Sequence, residues 1–265
     1  MTIRGCWRFS LSLGYMALIL LFPYSAAGQA PDNNLGEAPL TLSQVVDKLL
    51  EKNAERADAL ERYRGRRLYQ LEYKGFPADL HAEAIVDMSY SAPATKEFTI
   101  VSESGSKLLI NRVLKRLMET ELEALKEENR ERVELNSRNY DFTMLEYHSA
   151  DDGCSYVLAV RPKIPNKFLY RGRIWVDAKD FAVCRIEAEP SQNPSVWIKT
   201  TEIHHAYEKV GDFWLPRENE SVSRLRLDGR ATLTIRYQNY EILAARALKE
   251  TDRGATSQSL EVPKR

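Results

Sequence analysis

Four histidines, His81, His148, His204 and His205, are the side chains best suited to hold a metal or move a proton near neutral pH. None stands at ligand spacing with a second histidine or cysteine on one face of an element. His204 and His205 are adjacent in an extended stretch, so they project to opposite faces and cannot chelate one ion together. No metal site is expected. A G-x-S-x-G elbow, an H-E-x-x-H pair and a phosphate-binding glycine loop are all missing from the sequence, so the usual nucleophile, zinc and phosphate signatures are absent. Asp151 and Asp152 form an acid pair directly before Gly153, where a turn explains them better than acid–base catalysis. No catalytic residue and no cofactor is predicted, and the chain is read as not an enzyme.

The cysteines are Cys6, Cys154 and Cys184. An oxidising compartment would allow the last two to pair. Both fall in expected strands of one meander with another strand between them, a separation of roughly 10 Å that is too wide for a bridge. The Cys154–Cys184 disulfide is therefore possible but not favoured, and two small buried side chains are the alternative.

These residues must be carried by a fold that begins after an export signal. Residues 1–28 hold Arg4 and Arg8 without an acid, then an apolar run from Leu11 to Tyr24, then Ser25, Ala26, Ala27 and Gly28. This is the layout of a cleavable signal peptide. The apolar run is shorter than the roughly 20 residues a bilayer core demands, which argues against an uncleaved anchor. Cys6 precedes the apolar run, so no lipid tether is expected, and the periplasm is the predicted location. Residues 29–40 read as a linker, residues 41–245 as one domain, and residues 246–265 as a disordered polar tail.

Lys and Arg balance Asp and Glu at 38 each, which leaves no long-range field to attract nucleic acid. Hydrophobic residues reach 43%, enough to bury a core. Thr41 and Gln44 form a capping box, and Leu42, Val45, Val46, Leu49, Ala57 and Leu60 recur at helical spacing up to Tyr63. The period then becomes two: Tyr69, Leu71 and Tyr73 mark a strand, followed by Ala84 to Tyr90 and Glu97 to Ser102. A second helix is expected from Ser106, its apolar stripe running from Ile110 to Leu125. Its charged continuation at residues 126–135 reads as a solvated helix end in preference to a partner-binding arm.

From residue 140 the sequence is strand upon strand: 140–147, 155–161, 168–178, 182–189, 196–209, 213–216, 221–227 and 231–242. Short turns between them imply an antiparallel meander. The expected fold is α+β, a curled antiparallel half-barrel of about ten strands lidded by helices. Phe168, Tyr170, Ile174 and Val176 share one face, opposite Arg171, Arg173, Trp175 and Asp177. The apolar face is either a ligand cavity or a core filled by the helices, and periodicity does not separate the two. Trp175, Trp197 and Trp214 either pack the sheet or anchor at a membrane surface. Asn219-Glu220-Ser221 matches a glycosylation sequon too short to carry weight.

Three segments carry a resemblance: YRGRIWVDAKDFAVCRIEAEP (170–190), HHAYEKVGDFWLP (204–216) and LDGRATLTIRYQNYEI (227–242). Together with the two helices they resemble the LolA/LolB-like superfamily of periplasmic lipoprotein-sorting and lipid-binding proteins, in pattern and element order over roughly residues 41–242. The resemblance implies an unclosed barrel whose helices lid an apolar cavity for acyl chains, and a role in carrying lipids or lipoproteins or in sensing envelope stress. On that reading Val86, Met88, Tyr170, Ile174, Val176, Cys184, Ile186, Leu233 and Ile235 would bind the ligand. The implied partner is a lipid or acyl chain, with an envelope membrane protein as a second, and a monomer is expected. The competing expectation is an envelope interaction or stress-sensing protein with a filled core and no carried ligand.

Overall fold

The computed structural model describes residues 39–148, 153–193, 195–226 and 228–248, without the Arg130 side chain. The expected signal peptide, nearly all of the linker, the Asp151–Asp152 turn and residues 249–265 of the tail lie outside the described residues.

Helix α1 (Leu42–Ala59) starts at the expected capping box, with Thr41 and Gln44 bonding each other's backbone N–H groups. It buries Val45, Val46 and Leu49 and ends at Ala59, four residues before the expected Tyr63. The period-two pattern begins earlier than local spacing suggests. In β1 (Leu60–Lys74), Tyr63, Gly65, Arg67, Tyr69 and Leu71 alternate inward. What claims residues 60–63 for the sheet is pairing with the far end of the chain, Leu60 opposite Ala245 and Tyr63 opposite Ile242.

Strands β2 (Leu80–Ser91) and β3 (Thr95–Gly105) complete the first half. The chain then passes through α2 (Lys107–Leu109), a π turn (Ile110–Leu114), α3 (Lys115–Ala124) and α4 (Glu127–Val133). Seven strands follow: β4 (Tyr140–Tyr147), β5 (Tyr156–Pro162), β6 (Tyr170–Val176), β7 (Val183–Pro190), β8 (Ile198–Val210), β9 (Phe213–Leu225) and β10 (Arg230–Ala245). All pairings are antiparallel, in the order β3-β2-β1-β10-β9-β8-β7-β6-β5-β4. The result is one open, curled α+β sheet of ten strands, as expected from the sequence. The helical arm α2–α4 joins β3 at one edge to β4 at the other.

Two apolar clusters form where helices meet the sheet. Under α1, Val45, Val46 and Leu49 pack on Leu158, Val160, Ile174, Val176 and Ile186 of β5–β7. Under the arm, Ile110, Leu114 and Met118 pack on Tyr69, Leu71, Val86, Leu233 and Ile235. A smaller group around Ala59, Tyr63, Met88, Phe213 and Leu215 joins them at one end. The arm is also pinned electrostatically. Glu121 of α3 takes two hydrogen bonds from buried Arg67 at 2.6 and 3.0 Å, and one from Lys96 at 2.5 Å. Arg67 itself lies between the rings of Phe98 and Tyr237, 5.0 and 4.9 Å from their centroids.

The charged segment at residues 126–135 is fastened, not free. The Asn139 amide donates to the carbonyls of Glu131 and Glu134, Asn166 donates to that of Arg132, and Lys167 reaches Glu123 at 2.6 Å. At the start of the tail, Arg246 bonds the carbonyls of Ala59 and Asp58 and pairs with Glu61.

The expectation for the cysteines is corrected: Cys154 and Cys184 are joined in a disulfide, with Cα atoms 6.3 Å apart. The strand-spacing argument placed Cys154 within a strand, but it lies in the loop before β5. That loop crosses the end of β6, where Gly153 accepts a hydrogen bond from the Ala178 N–H at 2.8 Å. Gly153 adopts a φ of 84°, and a Cβ there would meet Asp177 Oδ2 at 2.3 Å, so only glycine permits this approach. Cys184 itself is the extra residue at a register shift in the β6–β7 ladder, between Arg185 opposite Trp175 and Val183 opposite Val176.

Candidate functional site

Helix α1 is packed on β5–β7 through its first half, while its second half carries Asn53, Arg56 and Ala57 over β7–β9 and leaves a hollow of about 340 Å³. The sheet supplies Tyr170, Val183, Ile186, Tyr207, Phe213 and Leu215, and the chain after α4 adds Leu135. This is a mainly apolar lining at the lower end of the volumes found for small-molecule sites.

Among its polar groups Arg56 and Trp214 are already partnered, whereas the hydroxyls of Tyr170 and Tyr207 make no hydrogen bond among the described residues. Arg56 donates to the carbonyls of Asp180 and Phe181 at 2.7 and 3.0 Å and to Asn53 Oδ1 at 2.7 Å, which ties α1 to the β6–β7 turn. Burial lowers the Arg56 pKa, opposed by nearby Asp180. Asp180 in turn accepts from Trp214 Nε1 at 2.8 Å and pairs with Lys209 at 2.6 Å. Burial alone would raise its carboxyl, but these partners hold it below the usual range. Burial also pushes Tyr207 up to about 12 and Tyr170 well above its ordinary value, so both phenols stay neutral. The hollow therefore presents neutral rings and aliphatic carbons beside a wall in which Arg56 and Trp214 are held by their own hydrogen bonds.

Of the nine residues expected to bind ligand, Tyr170 and Ile186 line this hollow. Ile174 and Val176 are fully buried under α1, Val86, Leu233 and Ile235 are packed beneath the arm, and Met88 belongs to the small third group. Cys184 is in the disulfide and borders a second hollow of about 550 Å³, whose walls include Arg185, Glu208, Lys209 and Arg217 and so suit water better than hydrocarbon. Sequence reading missed Asn53, Arg56, Tyr207 and the β9 residues Phe213–Leu215. The Gly211–Pro216 corner was visible as a structural signature, but nothing local showed that α1 hangs over it.

The inner face is also less uniformly apolar than β6 and β7 suggested. Between the two large clusters, β8 and β9 present Thr201, His205, Asn219, Ser221 and Ser223, in register with buried Ile186 and Ile235 on either side. The helices pack on the flanking strands, so these middle positions tolerate polar side chains that satisfy one another. Thr201 and Ser223 hydroxyls lie 2.9 Å apart, and the Asn219 amide bonds Nε2 of His205.

Burial, with a smaller contribution from His204, lowers the His205 pKa from 6.5 to about 4. The folded protein thus holds His205 neutral where an unfolded chain would protonate it. Its contribution is intact above about pH 6.5 and is lost as the pH falls toward 4. Denaturant melts of wild type and His205→Gln across this window are expected to differ in slope, with the variant the flatter. Parallel slopes would refute the assignment. Among the described residues, no group of three or more His, Cys, Asp or Glu side chains is placed to hold a metal ion.

No family model matches the chain, and no curated protein matches it. Among solved structures, it is similar to a DUF1329 family protein from Desulfovibrio piger, at 12% identity and a TM-score of 0.39 over 76% of this chain and 92% of that one. It is also similar to a domain assigned to outer membrane lipoprotein-sorting proteins from Vibrio parahaemolyticus, at 8% identity and a TM-score of 0.37 over 76% and 93%. A LolA superfamily protein from Nitrosomonas europaea aligns at 11% identity and a TM-score of 0.34 over 80% and 96%.

Proposed function

We propose that the protein is a non-enzymatic binding or carrier protein of the periplasm, exported by its N-terminal signal, that shields a lipid or acyl chain between α1 and the sheet. The observation that carries this reading is the hollow of about 340 Å³ whose lining is mainly apolar and whose charged member, Arg56, is taken up by hydrogen bonds to Asp180, Phe181 and Asn53. Such a site offers little to a polar substrate. It rewards hydrocarbon at about 25 cal/mol per Å² of buried apolar surface, with no ionic anchor required.

The test is solvent extraction of the protein in the form its own cells accumulate, followed by mass spectrometry of the extract. A co-purifying lipid or fatty acid is expected. Ala57 lines the hollow yet is solvent-exposed on α1. Ala57→Trp should therefore fill the space without disturbing the core, abolishing the co-purifying species while the unfolding midpoint of lipid-free protein stays within about 0.5 kcal/mol of wild type. Preparations that are repeatedly empty and gain no stability on adding lipid would overturn the reading in favour of a filled-core interaction protein.

A further inference from the structure

Among the described residues, the large hydrophobic side chains more than 60% exposed are Phe76 (81%), Val196 (79%), Ile164 (78%), Leu108 (61%) and Trp197 (61%). Strand direction puts all five at the same end of the sheet. Phe76 is in the β1–β2 turn, Ile164 in the β5–β6 connection, and Val196 and Trp197 in the β7–β8 connection. Leu108 follows the end of β3, where Ser106 N–H bonds the His81 carbonyl beside the start of β2.

Direct contacts link these turns into one rim. The Tyr73 hydroxyl bonds the Phe76 carbonyl, and the same ring abuts Gly229 of the β9–β10 turn. Arg226 of that turn donates to the carbonyls of Trp197 and Val196 at 2.9 and 2.7 Å. Ser191 and Gln192 of the same β7–β8 connection bond the carbonyls of Asn166 and Pro165, beside Ile164. Charge is also segregated here. Residues 72–80, 161–169, 191–200 and 224–230 contain eight lysines and arginines against three acids, Glu72, Asp79 and Asp228, in a chain whose totals are 38 and 38. Lys74, Lys163 and Lys167 pair with Glu72, Asp141 and Glu123, which leaves Arg161, Lys199, Arg224, Arg226 and Arg230 to meet phosphates.

We propose that this rim docks on the surface of a lipid bilayer containing anionic headgroups, the apolar tips entering the interface and the basic residues meeting the phosphates. A protein-binding patch concentrates its apolar area in one desolvated centre depleted of charge. Here single apolar side chains stand on separate turn tips with cations between them, which matches the requirements of a headgroup layer. Trp197, with its polar N–H, is the residue type that favours that layer. The docking does not depend on the α1 hollow being loaded.

The experiment uses the protein as its own cells accumulate it, with vesicles of phosphatidylcholine with and without a minor fraction of phosphatidylglycerol. Co-sedimentation with the anionic vesicles is expected, weakening as salt is raised. The triple variant Phe76→Ser/Ile164→Ser/Trp197→Ser should lose about tenfold or more in partitioning, because the apolar anchors are gone while the charge is kept. Should that variant fold poorly, vesicles with brominated acyl chains provide the second measurement: quenching of wild-type tryptophan emission that disappears in Trp197→Phe. The proposal is overturned by failure to bind anionic vesicles, by binding the folded triple variant retains, or by quenching unchanged in Trp197→Phe. A triple variant that alters self-association but not vesicle binding would assign the rim to a protein contact instead.

Discussion

Replacing Glu121 by alanine is expected to destabilise the protein by about 3 kcal/mol, the low end of the range for removing one partner of a buried ion pair, because Arg67 is buried while Glu121 keeps about a third of its side chain exposed. The change would leave Arg67, only 4% exposed, beside Lys96 with no carboxylate between them. Arg67→Met together with Glu121→Met should be much milder than Glu121→Ala, since a buried pair exchanged for apolar side chains of similar size is often near neutral. The same contact predicts an acid limb. Burial alone would raise the Glu121 carboxyl, but hydrogen bonds and charge from Arg67 and Lys96 bring it from 4.5 down to about 2. Its stabilising contribution is complete above about pH 4.5 and drains away as the pH falls toward 2. Urea titrations at stepped pH check this: wild type should lose stability through that interval and Glu121→Gln should lose less. Equal losses would remove Glu121 as the cause. The interval lies mostly below the His205 window, so the two titrations can be read apart.

Reducing the Cys154–Cys184 bond is expected to cost about 3–4 kcal/mol, the loop-closure value for a separation of 30 residues. The bond holds the loop before β5 across the end of β6, so its loss also frees the Gly153–Ala178 contact. Denaturant midpoints with and without reductant measure the effect, and Cys154→Ala/Cys184→Ala should reproduce the reduced form. An unchanged midpoint in both would mean that the bridge does not constrain the unfolded chain.

The legible parts of this fold were those with a local signal. Tyr140–Tyr147 was readable to the residue because period two and flanking turns coincide there. The helix start at Thr41 followed from a capping box. The stretches 213–216 and 221–227 were read as two strands and form one, β9, because the polar residues Glu218, Asn219 and Glu220 resemble a turn until their pairing with β8 and β10 is known. Partners far away in sequence also decide residues 60–63 and the disulfide, and neither carries a local mark. The candidate site was the least legible part. Arg56 has the sequence of an exposed helix residue, and only the position of Asp180 and Phe181 makes it the strut that holds α1 over the hollow.

The seam between β1 and β10 constrains how the molecule can be made. Residue 60 pairs with residue 245, so the first strand cannot acquire its second neighbour until the last strand has been synthesised. The β4–β10 meander can assemble hairpin by hairpin, whereas β1–β3 must wait, with one flank unpaired, for a contact whose closure entropy is the largest in the sheet. A nascent chain of this topology keeps the β1–β3 flank unpaired until residues 230–245 have been made, which leaves it open to chaperones throughout that interval.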